Sequence, residues 1–464
     1  MERAVVTPTA NRSAHRALAT PLVAALVLRL IALFWLAPQA AVLGDAVGYL
    51  LKARAMAAGD ALTSPTDGQV RPPLYAKLVS LGLDGDPAPD DMMPGVFLLQ
   101  ILADLGTIAI SMSLARRRFG DRAAAATGWA LAAWPIAILF SSTLVMAETA
   151  ACFTAALALW SVDKLFTQLR SGKSGLKAAA LTGVALGISV LTKELMLLLP
   201  MAVVCALIKI GKTPIEAKLK AFAVMAAAFL AALLPFSWMT ANKQGKALPT
   251  GTYGYLALIY DNAPKGKSGQ DLWVAQPSIE KRVEMAQSVF ADAFFEYPGL
   301  TAHRAVQRLK TLFGPEIYAP ALTLAIPHDA YVPEGTTPRS FLAAAWEFPS
   351  GTMSRHAQIV FSLLSFALFV VAALGVAIKR FDPLARVAWY HTAILILVAA
   401  LTVSMERYRM TLVPALAPFI GLGISTLMSR RERAELKPRA IVVAAIVALL
   451  LALSMFVLDP PTPE

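Results

Sequence analysis

The sequence predicts an all-α polytopic membrane protein with about 11 transmembrane helices and one large, mainly helical loop on the non-cytoplasmic side. Three observations predict it. Of 464 residues, 57% are hydrophobic and 16% charged, and the mean hydropathy is +0.60. That is too little charge to wet the surface of a soluble chain of this length. Apolar runs recur at close to the roughly 20 residues that cross about 30 Å of hydrocarbon as a helix. Basic residues collect in short loops between those runs, as they do on a cytoplasmic face.

The same distribution accounts for the net charge of +12 and argues against a nucleic-acid partner. Cys152 and Cys205 each lie inside an apolar run. Topology places them near opposite membrane faces, where no disulfide can form. Neither the cysteines nor the five histidines show metal-ligand spacing.

The first run, 21–43, follows Arg3, Arg12 and Arg16, and its Ala37-Pro38-Gln39-Ala40 loosely resembles a cleavage site. At 23 residues it exceeds a signal-peptide core and it contains Arg29, so an uncleaved first helix is expected. Further runs lie near 95–115, 123–140, 144–162, 178–192, 195–209, 221–240, 357–378, 387–404, 410–428 and 440–458. Trp134-Pro135 followed by Ser141-Ser142 breaks a stretch too long for one crossing. Charge settles 178–210, which is long for one helix and short for two. With two crossings, 23 of the 42 lysines and arginines fall in the loops on the N-terminal side, which total 72 residues. With one crossing, Arg430-Arg431-Glu432-Arg433 would flip outside, against the positive-inside rule. The expectation is therefore a multi-pass inner (plasma) membrane protein with its N-terminus cytoplasmic and its C-terminus outside.

Three parts follow: an N-terminal transmembrane module, 1–240, with a first outer loop at 44–94; a large outer loop or cap, 241–355; and C-terminal transmembrane helices, 356–464. The first loop is acidic, with Asp45, Asp60, Asp67, Asp84, Asp86, Asp90 and Asp91. In the cap, Val283, Ala286, Val289 and Phe290 recur at helical spacing. They mark an amphipathic helix that either lies on the membrane or covers the bundle.

Charged and aromatic residues converge on the outer face from separate segments. Asp45 and Tyr49 leave the first span, followed by Lys52, Arg54, Arg71 and Tyr75. Glu148 opens the fourth span, Lys193-Glu194 tips the hairpin of the fifth and sixth, and Glu406-Arg407-Tyr408-Arg409 joins the ninth and tenth. An enzyme handling a lipid phosphate at the interface needs this mixture: cations to hold a phosphate and a carboxylate to accept a hydroxyl proton. Each residue also has a plainer reading. Asp45 would cap a helix starting at Ala46, Glu148 would be a turn acid, and Lys193 would pair locally. Arg407 and Arg409 would anchor to headgroups, and Arg71 would merely precede a helix with Pro at its start. Within the hydrocarbon, Arg29 lies about 24 Å by helical rise from Asp45, and Asp104 about 14 Å into the second span. A structural ion pair between them is expected.

The pattern resembles the polyprenyl-phosphate-sugar-dependent glycosyltransferases of the GT-C superfamily. It is most similar to bacterial relatives of dolichyl-phosphate-mannose protein mannosyltransferases, which include the aminoarabinose lipid A transferases. Gly44-Asp45 with Tyr49 resembles the acidic start of that family's first outer loop. Arg71-Pro72-Pro73-Leu74-Tyr75 is similar to its "RPPLYP" stretch, with Ala76 for the last proline. Phe119-Gly120-Asp121 resembles its short inner turn, and Leu191-Thr192-Lys193 its "LTR" turn with lysine for arginine. Asn242, Thr250 to Gly254 and Asn262-Ala263-Pro264 resemble its elements after span seven, and Glu406-Arg407-Tyr408-Arg409 through Pro414 its "RYR.PL.P" motif.

The resemblance implies a GT-C fold and inverting transfer of a sugar from a polyprenyl-phosphate donor to a lipid, glycan or protein acceptor. Asp45 would be the base, with Glu148 sharing that role or binding sugar hydroxyls. Tyr49, Lys52, Arg54, Arg71, Tyr75, Lys193, Arg407 and Arg409 would bind substrate. The family's Asp-Glu doublet is Asp45-Ala46 here, so no obligatory metal or other cofactor is expected. The competing readings are a membrane transporter or flippase, whose charges would sit at the midplane, and a polymerase or ligase using lipid-linked glycans.

Overall fold

The computed structural model describes residues 8–36, 45–59, 70–83, 93–264 except 212, 267–313 and 351–456. The Ala37–Ala40 tetrapeptide, Asp60, Asp67, Asp84, Asp86, Asp90, Asp91 and the 314–350 part of the cap lie outside the described residues. Those described are helical, with no strand among them. In order come α1 (Pro8–Ile31), α2 (Asp45–Ala57), α3 (Pro73–Gly82), α4 (Pro94–Phe119), α5 (Asp121–Ala132), α6 (Pro135–Ser142) and α7 (Glu148–Arg170). They are followed by α8 (Leu176–Thr192), α9 (Leu198–Ile208), α10 (Ile215–Gln244), α11 (Tyr253–Tyr260), α12 (Gly269–Val274), α13 (Ile279–Phe295) and α14 (Pro298–Phe313). The chain ends in α15 (Gly351–Ile378), α16 (Pro383–Leu401), α17 (Val413–Met428), α18 (Arg430–Ala434) and α19 (Pro438–Phe456).

Helices occupy all the predicted apolar runs, but length alone does not establish eleven spans. Among the described residues five helices are long and apolar enough to cross: α4, α7, α10, α16 and Arg407–Met428. α5 and α6, bent by 58° where Trp134-Pro135 breaks the chain, make a sixth if counted as one span. The other predicted crossings correspond to shorter apolar helices, Leu18–Phe34, Leu176–Thr192, Glu194–Ile208, Ser362–Ile378 and Pro438–Ala452.

The core of the bundle packs α8 against both α7 and α10, and α17 against α5 and α15. Glycine permits close approach at these contacts: a Cβ at Gly183 of α8 would collide with the Met225 carbonyl of α10. The charge expected within the hydrocarbon is internally matched. Arg29 donates from Nε to Asp104 Oδ2 at 2.5 Å and from its other nitrogens to the carbonyls of Ala25, Ala132 and Leu131. The two meet although helical rise put them at different depths, and α1 passes into a π-helical turn at Ala32–Leu36. Cys152 is buried and Cys205 exposed, and both are free thiols.

The described residues between α1 and α4 fold onto the bundle as two short helices. Arg71-Pro72 is extended, and proline at the start of α3 costs no backbone donor. α2 and α3 pack on each other, and α3 packs on α4. Tyr75 donates its hydroxyl to Gln100 Oε1 of α4 at 2.6 Å. The large loop is tied back to this unit, since Thr252 N donates to the Val70 carbonyl at 2.7 Å and Val70 N donates to Thr252 Oγ1 at 2.9 Å.

Candidate active site

Five segments distant in sequence bring two carboxylates and three cations together. Asp45, in the first turn of α2, accepts from Arg407 Nη2 at 2.5 Å on Oδ2 and from Arg71 Nη1 at 3.3 Å on Oδ1. Arg407 comes from the 3₁₀ turn Glu406–Leu412 ahead of α17, and Arg71 from the extended approach to α3. Lys193, the residue that ends α8, donates to Glu148 Oε1 at 3.1 Å, and Arg407 Nε lies 3.6 Å from the same oxygen. Glu148 opens α7.

These groups differ in access. The Asp45 side chain is 22% exposed, Lys193 11%, and Glu148 0%. A chamber of about 220 Å³ is lined by Asp45, Tyr49, Arg71, Lys193, Tyr253, Arg407 and Tyr408, with Leu195, Leu198, Leu395 and Val398 as apolar wall. Glu148 stands behind that wall, supporting Arg407 and Lys193, while Asp45 faces the space.

The electrostatics follow from the excess of cations. Burial alone would raise the Asp45 carboxyl, but the charges of Arg407, Arg71 and Lys193, with the Arg407 hydrogen bond, outweigh it. They hold the group well below the usual carboxylate range. The Arg71 guanidinium also lies over the Tyr49 ring, 5.3 Å from its centroid, and Tyr49 meets Tyr75 edge-on at 4.7 Å. Burial pushes the Tyr49 phenol above its ordinary value.

Other residues expected at the site stand outside the chamber. Lys52 donates to the backbone carbonyl of Arg71. Burial, then the Arg71 charge, pull its pKa down to about 7. Tyr75 is occupied with Gln100, and Arg54, on α2, does not line the chamber. Arg407 and Arg409 part company. The latter turns to a different cavity, with its guanidinium 5.6 Å from the centroid of the Phe366 ring.

Three lining residues, Glu194, Tyr253 and Tyr408, were not among the expected site residues. Glu194 accepts from the backbone N–H of Tyr253 at 3.3 Å and of Gly254 at 2.7 Å, anchoring the start of α11 to the chamber. Burial pushes its carboxyl up to about 7 against those two donors. The hydroxyls of Tyr253 and Tyr408 are 2.9 Å apart. The sequence signal was the glycine-rich 250–254 stretch: a Cβ at Gly251 would collide with Glu194 Oε1 and the Val70 carbonyl. Further out, Asn262 accepts from Arg308 at 2.7 Å and donates to the Leu401 carbonyl at 3.2 Å, pinning α14 to the end of α16. Among the described residues no three His, Cys, Asp or Glu side chains converge as metal ligands would.

A family model described as dolichyl-phosphate-mannose-protein mannosyltransferase matches residues 88–239, a third of the chain, from just before α4 into α10. Among solved structures the chain is similar to the archaeal oligosaccharyltransferase AglB from Archaeoglobus fulgidus in complex with an inhibitory peptide and a dolichol-phosphate. Identity is 16% over 97% of this chain and 56% of that one, with a TM-score of 0.51. It is also similar to the apo form of the Archaeoglobus fulgidus oligosaccharyltransferase, at 13% identity over 96% and 55% of the two chains and a TM-score of 0.50. ArnT from Cupriavidus metallidurans bound to undecaprenyl phosphate matches at 17% identity over 88% and 77%, with a TM-score of 0.40. No curated protein sequence is significantly similar to the chain. The chain spans a little over half the length of the oligosaccharyltransferases, and the likeness to them is one of fold. The resemblance to polyprenyl-phosphate-dependent GT-C glycosyltransferases is borne out by the family match together with that fold.

Proposed function

We propose that this protein is a membrane glycosyltransferase that moves a sugar from a polyprenyl-phosphate donor to a hydroxyl of a lipid, glycan or protein acceptor, with inversion. The single observation that carries this reading is the chamber in which Asp45, the carboxylate that both arginines hold, faces Arg71, Arg407 and Lys193. Three cations around a small space match a phosphate monoester. The neighbouring leucines and valine suit the first isoprene units. With the N-terminus cytoplasmic, the chamber opens at the periplasmic face.

In the reaction the acceptor oxygen bonds to the anomeric carbon as the carbon–oxygen bond to phosphate breaks. The acceptor proton passes to Asp45, and the bond electrons leave with the phosphate. A phosphate dianion needs no acid, so one base and a cation clamp suffice. The depressed basicity of Asp45 has a consequence in this scheme. When the donor phosphate enters, it shares Arg71, Arg407 and Lys193, weakening the field that holds Asp45 ionised. The carboxylate becomes a better base as the donor arrives. Glu148, buried behind Lys193 and Arg407, orients the clamp rather than meeting the acceptor. The charge-neutralising work thus falls to side chains, and no obligatory metal enters the scheme.

A transporter or a diphosphate-using polymerase is less well supported, because the clamp lies at one end of the bundle, around a carboxylate placed to accept a proton. The test is purified protein with radiolabelled polyprenyl-phosphate sugars and membrane extracts. Wild type should label an acceptor, and folded Asp45→Asn should transfer about 100-fold more slowly or worse. Transfer by Asp45→Asn at the wild-type rate would remove Asp45 from the mechanism. Failure of wild type with every polyprenyl-phosphate donor would overturn the reading itself.

A further inference from the structure

A second and larger cavity, about 1190 Å³, lies on another face of α16, between α15, α17, α19 and the end of α14. Its walls are apolar, and Phe381 and Trp389 on its rim are 68% and 56% exposed. Among the described residues bases line it and acids do not. Lys310 and Arg409 stand at the end nearer the chamber, and Lys209, Arg380, Arg386 and Arg439 at the other.

Helix ends gather those last four. Arg380 just follows α15, Arg386 is in the first turn of α16, Arg439 opens α19, and Lys209 follows α9. Arg386 donates to the Lys209 carbonyl. Among the described residues none of the four pairs with a carboxylate. The nearest acid in sequence, Asp382, is occupied by Arg118 at 3.3 Å and by the Leu384 N–H at 2.9 Å.

The length of the walls decides what fits. From Arg386 to Ile396 α16 rises about 15 Å, and from Arg439 to Leu451 α19 rises about 18 Å. Either is about half of a 30 Å hydrocarbon core, the depth of one leaflet. A polyprenyl phosphate in the chamber would have its phosphate at the opposite end.

We infer that this cavity is a binding site for an anionic phospholipid of the leaflet away from the chamber, its phosphate held by Arg380, Arg386, Arg439 and Lys209 and its acyl chains lying along α16 and α19. The site is separate from the donor chamber and does not depend on the glycosyltransferase reading. An occupant there would brace α15, α16 and α19, and α16 also supplies a wall of the chamber. Lipid composition would thereby affect the enzyme at a distance.

The test is native mass spectrometry of the full chain in neutral detergent, titrated separately with phosphatidylglycerol, phosphatidylcholine and undecaprenyl phosphate. Phosphatidylglycerol should bind at least about tenfold more tightly than phosphatidylcholine. The triple variant R380Q/R386Q/R439Q should lose about 10- to 100-fold of that affinity, at roughly 1 kcal/mol per base near a charged interface. Its binding of undecaprenyl phosphate should not change. Equal binding of the two phospholipids, or full retention by the triple variant, would overturn the inference. Parallel loss of undecaprenyl phosphate would assign the cavity to the donor instead and would equally overturn it. Should the triple variant not fold, Ala377→Trp narrows the cavity with all bases in place. Unweakened phosphatidylglycerol binding by that variant would also overturn the inference.

Discussion

Two buried ion clusters in this molecule are built from the same residue types and do opposite things. In the bundle, Arg29 meets one carboxylate and three backbone carbonyls and is wholly buried. The charges cancel one to one. At the chamber, Asp45 meets two arginines with Lys193 close by, its side chain remains partly open, and a cavity adjoins it. The matched cluster is a structural fastening. The cation-rich one is poised for another anion, and the excess charge beside an open volume separates site from scaffold.

Removing one partner should break the two clusters differently. The largest effect is expected in the bundle. Asp104→Ala leaves Arg29 buried and unpaired, which costs about 3–5 kcal/mol. The yield of monodisperse protein on size exclusion should collapse. Asp104→Asn keeps a hydrogen-bond acceptor and should retain both fold and activity; a folded but inactive Asp104→Asn would contradict the structural reading. At the chamber, Arg407→Ala should preserve the fold and lower kcat/KM for the polyprenyl-phosphate donor by about 100-fold, on the scale of one lost transition-state donor at roughly 2.7–4 kcal/mol. Unchanged steady-state constants would end its phosphate role. Glu148→Gln sharpens the division of labour. As an orienting group its loss should raise the donor KM and leave kcat within a few-fold, whereas a base would show the loss in kcat.

The smallest effect concerns Lys52, whose folded pKa of about 7 lies below its ordinary 10.5 because of burial and the Arg71 charge. Between those values the unfolded chain binds a proton that the folded chain does not. Stability should therefore rise as pH climbs from about 7 toward 10.5. Lys52→Met should flatten that part of a melting-temperature profile, and an unaltered slope would show that Lys52 is not its source.

Position along each helix was legible in the sequence, and azimuth around it was not. Apolar runs marked helices, Trp134-Pro135 marked the bend between α5 and α6, and Lys193-Glu194 marked the turn before α9. The rarity of charge within apolar runs was enough to suggest Arg29 with Asp104, and position at the ends of those runs to gather Asp45, Arg71, Glu148, Lys193 and Arg407. Position could not separate Arg407 from Arg409, because two residues apart in a 3₁₀ turn point in different directions. Nor could it tell that Tyr75 would be taken up by Gln100. Glu194 was read only as a turn residue, since its partners at Tyr253 and Gly254 follow only after the large loop docks onto the first.

The central claim is that Asp45 is the base and the cations around it are the phosphate clamp. The measurement that separates those roles is a single-turnover experiment on folded Asp45→Asn, preceded by a titration with undecaprenyl phosphate. Removing the negative charge frees the clamp, so the variant should bind undecaprenyl phosphate at least as tightly as wild type while sugar transfer falls by about 100-fold or more. Weaker binding together with an undiminished rate of transfer from bound donor would contradict the account.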